Sequence, residues 1–344
     1  MRRAWLYAFS LLITTGCGGQ NQQKPDVLIV TWDTVRADHV GQAHTPVWNE
    51  LAQRSVVFTE ARPPVPITLP AHASMMTGLN PPEHGARDNG TWPVNVAVPT
   101  VAERFRDAGW STAAFVSASV LDSRYGISRG FSTYNDHIAR GKNRVVSHRP
   151  GVQTVEHALD WLADKDDEQP IFLWVHLFDP HRPWDPVTTG DQTPYQAAIG
   201  LADTATKKLL DAIDARGNKE NSIVIIASDH GEGLGDHGEE THGYFAYDST
   251  IRVPLLLFIG SEVSTNSTTA QEVKGPASLL DIPNTLSEAA GLTSFPNDGI
   301  SLLPHINGTP VHARTLSVET VTPALDFDTA PIFGVFDHNK RAWY

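Results

Sequence analysis

Three segments, Val27 to Thr31, Ile171 to Leu177 and Ser222 to Ser228, are apolar and β-prone almost without interruption. A strand with one wet face alternates apolar and polar residues, so unbroken runs predict strands covered on both faces, as in a parallel sheet. Trp110 to Ser117 and Val253 to Ile259 read as two further strands. Helical periodicity falls between them, at Pro46 to Arg54, from Thr100 to the stop at Gly109, at Val152 to Ala163, and at Ala197 to Ala215. That rhythm predicts an α/β fold, a mainly parallel central sheet flanked by helices on both faces, with ligands gathered at the carboxyl ends of the strands. No internal repeat or low-complexity block interrupts it, and one domain is the economical reading.

Charge and cysteine content narrow the function. Lys and Arg number 26 against 39 Asp and Glu, a net charge of −13, the wrong sign for a non-specific nucleic-acid binder. The single cysteine, Cys17, excludes an intramolecular disulfide framework and a multi-cysteine zinc site. It follows Arg2-Arg3, an apolar run from Ala4 to Ile13, and Thr14-Thr15-Gly16. The run is too short to span a membrane and reads as a signal peptide. A Cys at the cleavage site resembles a bacterial lipobox, with Thr14 where Leu is usual. The expected layout is therefore a lipoprotein-type signal peptide over 1–17, a polar tether over 18–25 and a catalytic domain over 26–344. The protein would sit in a bacterial cell envelope, periplasmic or at the outer membrane, touching lipid only through an anchor at Cys17. The aromatic end at Trp343-Tyr344 is compatible with a truncated chain or with a segment that docks.

Candidate chemistry lies at the predicted strand ends. Asp33 follows the first strand, and Asp229-His230 follow Ser222 to Ser228. An Asp after a strand is ordinarily a helix cap, but an adjacent carboxylate and imidazole can both face one cation. Thr68 opens Thr68-Leu69-Pro70-Ala71-His72, with Pro70 in the first turn and Gly78 at the close. A plain N-cap threonine is one expectation. The other is a nucleophile, because free N–H groups at a helix start attract anions and a metal-activated hydroxyl attacks phosphorus or sulfur.

Together these segments resemble the sulfatase family of the alkaline-phosphatase superfamily. The resemblance runs from Asp26 to about Leu303. It is carried by Asp33-Thr34-Val35-Arg36-Ala37-Asp38, Thr68-x-Pro70-x-His72, Pro81-Pro82-Glu83-His84-Gly85, Asp179-Pro180-His181, and above all Ser228-Asp229-His230-Gly231-Glu232 through Asp236-His237-Gly238. It implies an alkaline-phosphatase-like fold and one divalent cation held by Asp33, Thr68, Asp229 and His230. Those donors suit Ca²⁺, Mg²⁺, Mn²⁺ or Zn²⁺ without choosing between them. It also implies His181 or His242 as the acid for the leaving group, and Asn89 with the Leu69 N–H as donors to the transferring group. The substrate would be a small-molecule, glycan or lipid ester.

Departures from the family pattern carry chemical meaning. Sulfatases place a formylglycine precursor, Cys or Ser, inside Cys/Ser-x-Pro-x-Arg. Thr68 cannot become that aldehyde, and His72 replaces the Arg. Val116-Ser117-Ala118-Ser119 stands where a Lys and His pair is usual, and His242 where a Lys is expected. A threonine ester needs water to attack the central atom again, which suits phosphorus better than sulfur. Thr-x-Pro-x-His also resembles the nucleotide pyrophosphatase/phosphodiesterases, but no Asp-x-x-x-His supplies their second metal. The expectation is a single-metal, Thr-nucleophile hydrolase of phosphodiester, phosphonate or sulfate esters. The competing readings are a phosphoryl-group transferase and a non-catalytic binding lipoprotein. His84 and His237 are expected to be structural, Arg36 and Asp38 an ion pair, Trp184 a core residue, and Arg140, Lys142, Arg144 and Arg149 a solvated basic loop.

Overall fold

A computed structural model describes residues 23–139, 147–184, 191–261, 263, 270–306, 308–309, 313–337 and 340–343. The signal peptide with Cys17, the tether up to residue 22, the basic residues Arg140, Lys142 and Arg144, and Tyr344 lie outside the described residues.

Eight strands form one sheet: β1 (Asp26–Trp32), β2 (Val56–Arg62), β3 (Ser111–Phe115), β4 (Thr133–Asn135), β5 (Ile171–Leu177), β6 (Ser222–Ser228), β7 (Leu255–Ile259) and β8 (Gln271–Ser278). Their order is 4-3-5-1-6-7-2-8. All neighbours pair parallel except β7, which runs antiparallel to both β6 and β2. The three unbroken apolar runs are the central strands β5, β1 and β6, and every residue in them is buried.

Alternate residues of these strands feed two cores. Val27, Ile29, Phe172 and Trp174 pack with helices Thr68–Thr77, Val101–Asp107 and Ile282–Ala289. Leu28, Val30, Leu173 and Val175 pack with helices Pro46–Ala52, Gly151–Ala163 and Pro194–Ala215. The mainly parallel sheet with helices on both faces is therefore as expected. Strands β2 and β8 were not anticipated, because Glu60, Arg62, Glu272 and Lys274 break their apolar pattern. β8 lies at the sheet edge, where Pro276 costs no interior ladder bond. A second, antiparallel sheet of β9 (Leu316–Thr320), β10 (Ile332–Asp337) and β11 (Lys340–Trp343) was also not anticipated. Among the described residues no helix is long and apolar enough to cross a membrane.

One buried ion pair ties the central strands at the end away from the site. Asp26 opens β1, and its Oδ1 accepts the Ile171 N–H at 3.0 Å. Its Oδ2 accepts from Arg216 Nε at 2.9 Å and from Asn218 Nδ2 at 3.0 Å. Removing the carboxylate leaves a guanidinium that is 5% exposed with only the exposed Asp167 carboxylate, 3.8 Å away, as its counter-charge. Asp26→Ala is therefore expected to cost about 3–5 kcal/mol in unfolding free energy, read by urea denaturation. A loss below about 1 kcal/mol would mean that water already serves Arg216.

Candidate active site

Strands β5, β1 and β6 lie side by side and parallel, so their carboxyl ends deliver side chains to one place. Asp33 follows β1, its N–H bonded to the Leu177 carbonyl at 2.9 Å. Asp229 and His230 follow β6. Thr34 lies between the two acids in the left-handed region at φ 61°, a strained geometry for a β-branched residue. Its N–H binds Asp229 Oδ1 at 3.2 Å, and its carbonyl accepts the Tyr195 hydroxyl at 2.7 Å. Arg36 clamps the two loops: it pairs with Asp38 at 2.7 Å, as expected, and also with Asp236 of the β6 loop at 2.8 Å.

Helix Thr68–Thr77 enters from the other side, and every residue in it is buried. Thr68 was expected to cap it. Instead the extended residue Ile67 is the cap, and Thr68 is the first helical residue. Its hydroxyl is thus not needed by the helix backbone and lies 3.3 Å from His230 Nε2. Gly78 closes the helix at φ 70°, donating its N–H to the Ser74 carbonyl, as expected.

The four expected ligands do converge. His230 Nδ1 donates to the Gly231 carbonyl at 3.0 Å, which leaves the Nε2 lone pair facing inward. That Nε2 is 3.5 Å from Asp229 Oδ2 and 3.7 Å from Asp33 Oδ1. Both oxygens are buried without a hydrogen-bond partner among the described residues, as is Thr34 Oγ1. Orphaned carboxylate oxygens are costly unless a cation or donor meets them. Spacings near 3.5 Å also suit atoms that share one ion about 2.1 Å away. The residues present therefore fit a divalent cation, and Asp33, Asp229 and His230 can hold one together. Burial, followed by the charge of Asp33, pushes the Asp229 carboxyl up to about 7, and burial likewise raises Asp33.

His72, His176 and Asp229 form a second cluster close enough to share an ion. Hydrogen bonding gives these imidazoles another role. His72 Nδ1 donates to the Thr68 carbonyl at 2.8 Å, and its Nε2 faces the Thr31 hydroxyl at 3.0 Å. Trp174 Nε1 donates to that same hydroxyl at 3.0 Å, leaving the Thr31 proton for His72. His176 Nε2 donates to Asp33 Oδ2 at 3.2 Å, and its Nδ1 receives the Ser117 N–H at 3.4 Å. Burial depresses both, to about 3 for His72 and about 4 for His176, so they stay neutral. They pin the Thr68 backbone and the Asp33 carboxylate.

Around the rim, His181 donates Nδ1–H to the Arg182 carbonyl at 2.5 Å and keeps Nε2 available. The His242 ring lies 5.2 Å from that of His181 and 4.3 Å from that of His230. Its Nδ1 faces Glu232 Oε1 at 3.4 Å, and burial depresses it to about 4. Leu69 and Asn89 were expected to donate in parallel. In the structure the Leu69 N–H is already taken by Asn89 Oδ1 at 2.8 Å, which leaves the Asn89 amide nitrogen as the donor of the two. His84 is structural: it accepts the Ala86 N–H at 3.2 Å and bonds Ser74 Oγ at 2.9 Å. His237 stacks on Tyr247 at 4.1 Å. Trp184 is half-buried against Tyr195 rather than in the core. Arg149 is not solvated as expected but only 7% exposed. Sequence reasoning gave no part to Thr34, His176 or Glu232; the one available signal was a polar residue within or beside an otherwise apolar strand.

Fold and site together define an ester-hydrolysing enzyme, and the comparisons agree. The Sulfatase family profile matches residues 25–292. The chain belongs to the sulfatase family. A Delta 4,5-hexuronate-2-O-sulfatase of Bacteroides thetaiotaomicron is 24% identical over 362 residues, covering 86% of this chain and 75% of that protein. Two solved structures share the fold at 19% identity and 93% coverage of this chain. They are a phosphonate monoester hydrolase of Agrobacterium radiobacter (TM-score 0.74, 87% of that chain) and a 2-O GAG sulfatase (TM-score 0.76, 82% of that chain).

Proposed function

We propose that the protein is an exported, metal-dependent hydrolase of sulfuric or phosphoric esters that works through a covalent ester on Thr68 and prefers phosphodiester or phosphonate substrates. The observation carrying this reading is the Thr68 hydroxyl, 3.3 Å from His230 Nε2, a nitrogen that also faces one unpartnered oxygen each of Asp33 and Asp229. A divalent cation held by Asp33, Thr68, Asp229 and His230 would supply Lewis acidity, favouring the threonine alkoxide and offsetting charge on the group transferred.

Thr68 Oγ attacks the central atom in line, and the bond to the leaving alcohol breaks. His72 keeps the Thr68 carbonyl, and hence the hydroxyl, in place. The Asn89 amide nitrogen binds a non-bridging oxygen. The proton that the Thr68 hydroxyl gives up ends on the departing oxygen, relayed through His181 Nε2. His242, oriented by Glu232, then takes a proton from the water that attacks the central atom, and as the bond to Thr68 Oγ breaks that proton returns to the Thr68 oxygen. Thr68 stands where the family carries formylglycine, and a threonine ester has no carbonyl to reform. Release by a second attack favours phosphorus, in keeping with the phosphonate hydrolase among its structural neighbours. By the same reading the substrate is a small-molecule or glycan ester. The leader and Cys17 support a lipid-anchored protein of a bacterial envelope.

The test is a panel of 4-nitrophenyl sulfate, 4-nitrophenyl phosphate, bis(4-nitrophenyl) phosphate and 4-nitrophenyl phenylphosphonate, run metal by metal. Turnover of the diester or phosphonate is expected. Turnover of the sulfate alone would overturn the preference for phosphorus, and no turnover with no bound metal would overturn the catalytic reading. The acid is assigned by leaving group. His181→Ala is expected to lose about 10²–10⁴-fold in kcat on alkyl esters and far less on nitrophenyl esters, whose oxygen leaves unprotonated. The same pattern in His242→Ala instead would exchange the two roles.

A further inference from the structure

His181 also lines a cavity of about 710 Å³ that the mechanism above leaves unassigned. One wall is a stack of rings, with His181 on Phe178 at 4.2 Å and Phe178 on His148 at 4.9 Å. The helix Pro194–Ala215 contributes Ala197, Leu201 and Thr204. The volume suits a monosaccharide or a substituted arene, and flat faces of this kind pack against rings.

One cation and one carboxylate line this cavity. Arg149 lines it, 7% exposed. Its Nε donates to Thr154 Oγ1 at 2.8 Å, Nη1 to Asn135 Oδ1 at 2.7 Å and Nη2 to the Asn135 carbonyl at 3.1 Å. All three acceptors are neutral, and two of the five guanidinium N–H groups remain. Among the described residues no carboxylate lies at salt-bridge distance from Arg149, and Asp136 acts on it only from further away. The other charged residue in the wall, Asp179, is already engaged: both its oxygens accept the Gly151 N–H, at 3.1 and 3.0 Å, where the helix Gly151–Ala163 begins. A buried cation with no carboxylate in direct contact is costly to fold, and an incoming anion would offset that cost.

We propose that this cavity is the leaving-group subsite, and that it takes a ring-bearing alcohol carrying its own anionic group, which Arg149 binds. The inference rests on His181 as the acid of the reaction above, because an alcohol protonated there must have its carbon skeleton beside that ring.

The experiment compares two aryl esters of whichever class the metal-loaded protein hydrolyses, one with a 3-carboxyphenyl and one with a 3-carbamoylphenyl leaving group. A charge-assisted contact predicts at least about a tenfold higher kcat/KM for the carboxylate. The ratio should fall to about one in Arg149→Gln and be partly kept in Arg149→Lys. A wild-type ratio of one or less overturns the proposal. Should Arg149→Gln not fold, Leu201→Trp, at the exposed rim of the cavity, is expected to lower kcat/KM for both aryl esters relative to an ethyl ester, and an unchanged ratio there counts against the subsite. Binding of 3-hydroxybenzoate against 3-hydroxybenzamide by calorimetry needs no turnover. Selective binding of the benzoate with no ester hydrolysed would sink the hydrolase reading alone, and no selectivity alongside ester turnover would sink the subsite alone.

Discussion

Thr68→Ala is expected to lower kcat by about four orders of magnitude or more, the scale on which nucleophile deletions act, while the protein keeps its fold. The two halves of this expectation have separate causes. Among the described residues the hydroxyl's one hydrogen-bond partner is His230 Nε2, so its loss breaks no bond within the helix. The Thr68 carbonyl that holds His72 belongs to the backbone and survives the substitution. Thr68 is also not the helix cap, so no capping energy is lost with it. Acid quenching of the wild-type reaction should trap a phosphorylated or sulfated peptide containing Thr68, absent from the variant. Activity within tenfold of wild type in Thr68→Ala, with no such adduct, would exclude the covalent route.

Metal removal should destabilise the protein more at pH 8 than at pH 5. Asp229 is raised to about 7 in the fold, by burial first and by Asp33 second, against about 3.9 in an unfolded chain. Between those values the folded state binds more protons than the unfolded one, so the metal-free protein loses stability as pH climbs from about 4 to 7. A bound cation reverses this by meeting the ionised pair. At a thousand times its Kd it adds about 4 kcal/mol. Chelation should therefore lower Tm markedly at pH 8 and only slightly at pH 5, where Asp229 holds its own proton. Asp229→Asn sharpens the test. It should abolish both the metal response and turnover, yet without metal at pH 8 it should be at least as stable as metal-free wild type, because one buried charge is gone. Equal chelator effects at the two pH values, or an Asp229→Asn protein that still gains stability from metal, would rule out this cation site.

The candidate ligand set was legible through the resemblance of short motifs to the sulfatase family, and local patterning placed its members at strand ends. An unbroken apolar strand has to end where the chain leaves the sheet, and polar residues just past β1 and β6 fall at one edge whenever those strands are parallel. The hydrogen bonds that make the set work were not legible. His176 sits inside an apolar run, and only its neighbour across the sheet shows that it holds Asp33. His72 reads as a lost arginine until Thr31 and Trp174 appear beside it. Leu69 and Asn89 look like two donors, whereas in the fold one receives the other's N–H. Arg149 sits in a basic stretch that reads as solvated, and its burial comes from Asn135 and Thr154.

The amino-acid sequence alone determined the α/β layout and the central strands, and its short motifs, by their resemblance to the sulfatase family, singled out Asp33, Thr68, Asp229 and His230 as the group to follow. Each of these depends on residues within a few positions of one another, where hydrophobic period and residue type act directly. The tertiary structure decided the antiparallel direction of β7, the edge position of β8, the freedom of the Thr68 hydroxyl, and the neutral imidazoles beneath the acids. Strand direction, pairing partner and proton placement are set by contacts between segments that lie, for His176 and Asp33, 143 residues apart, and no local pattern encodes which distant group will meet them.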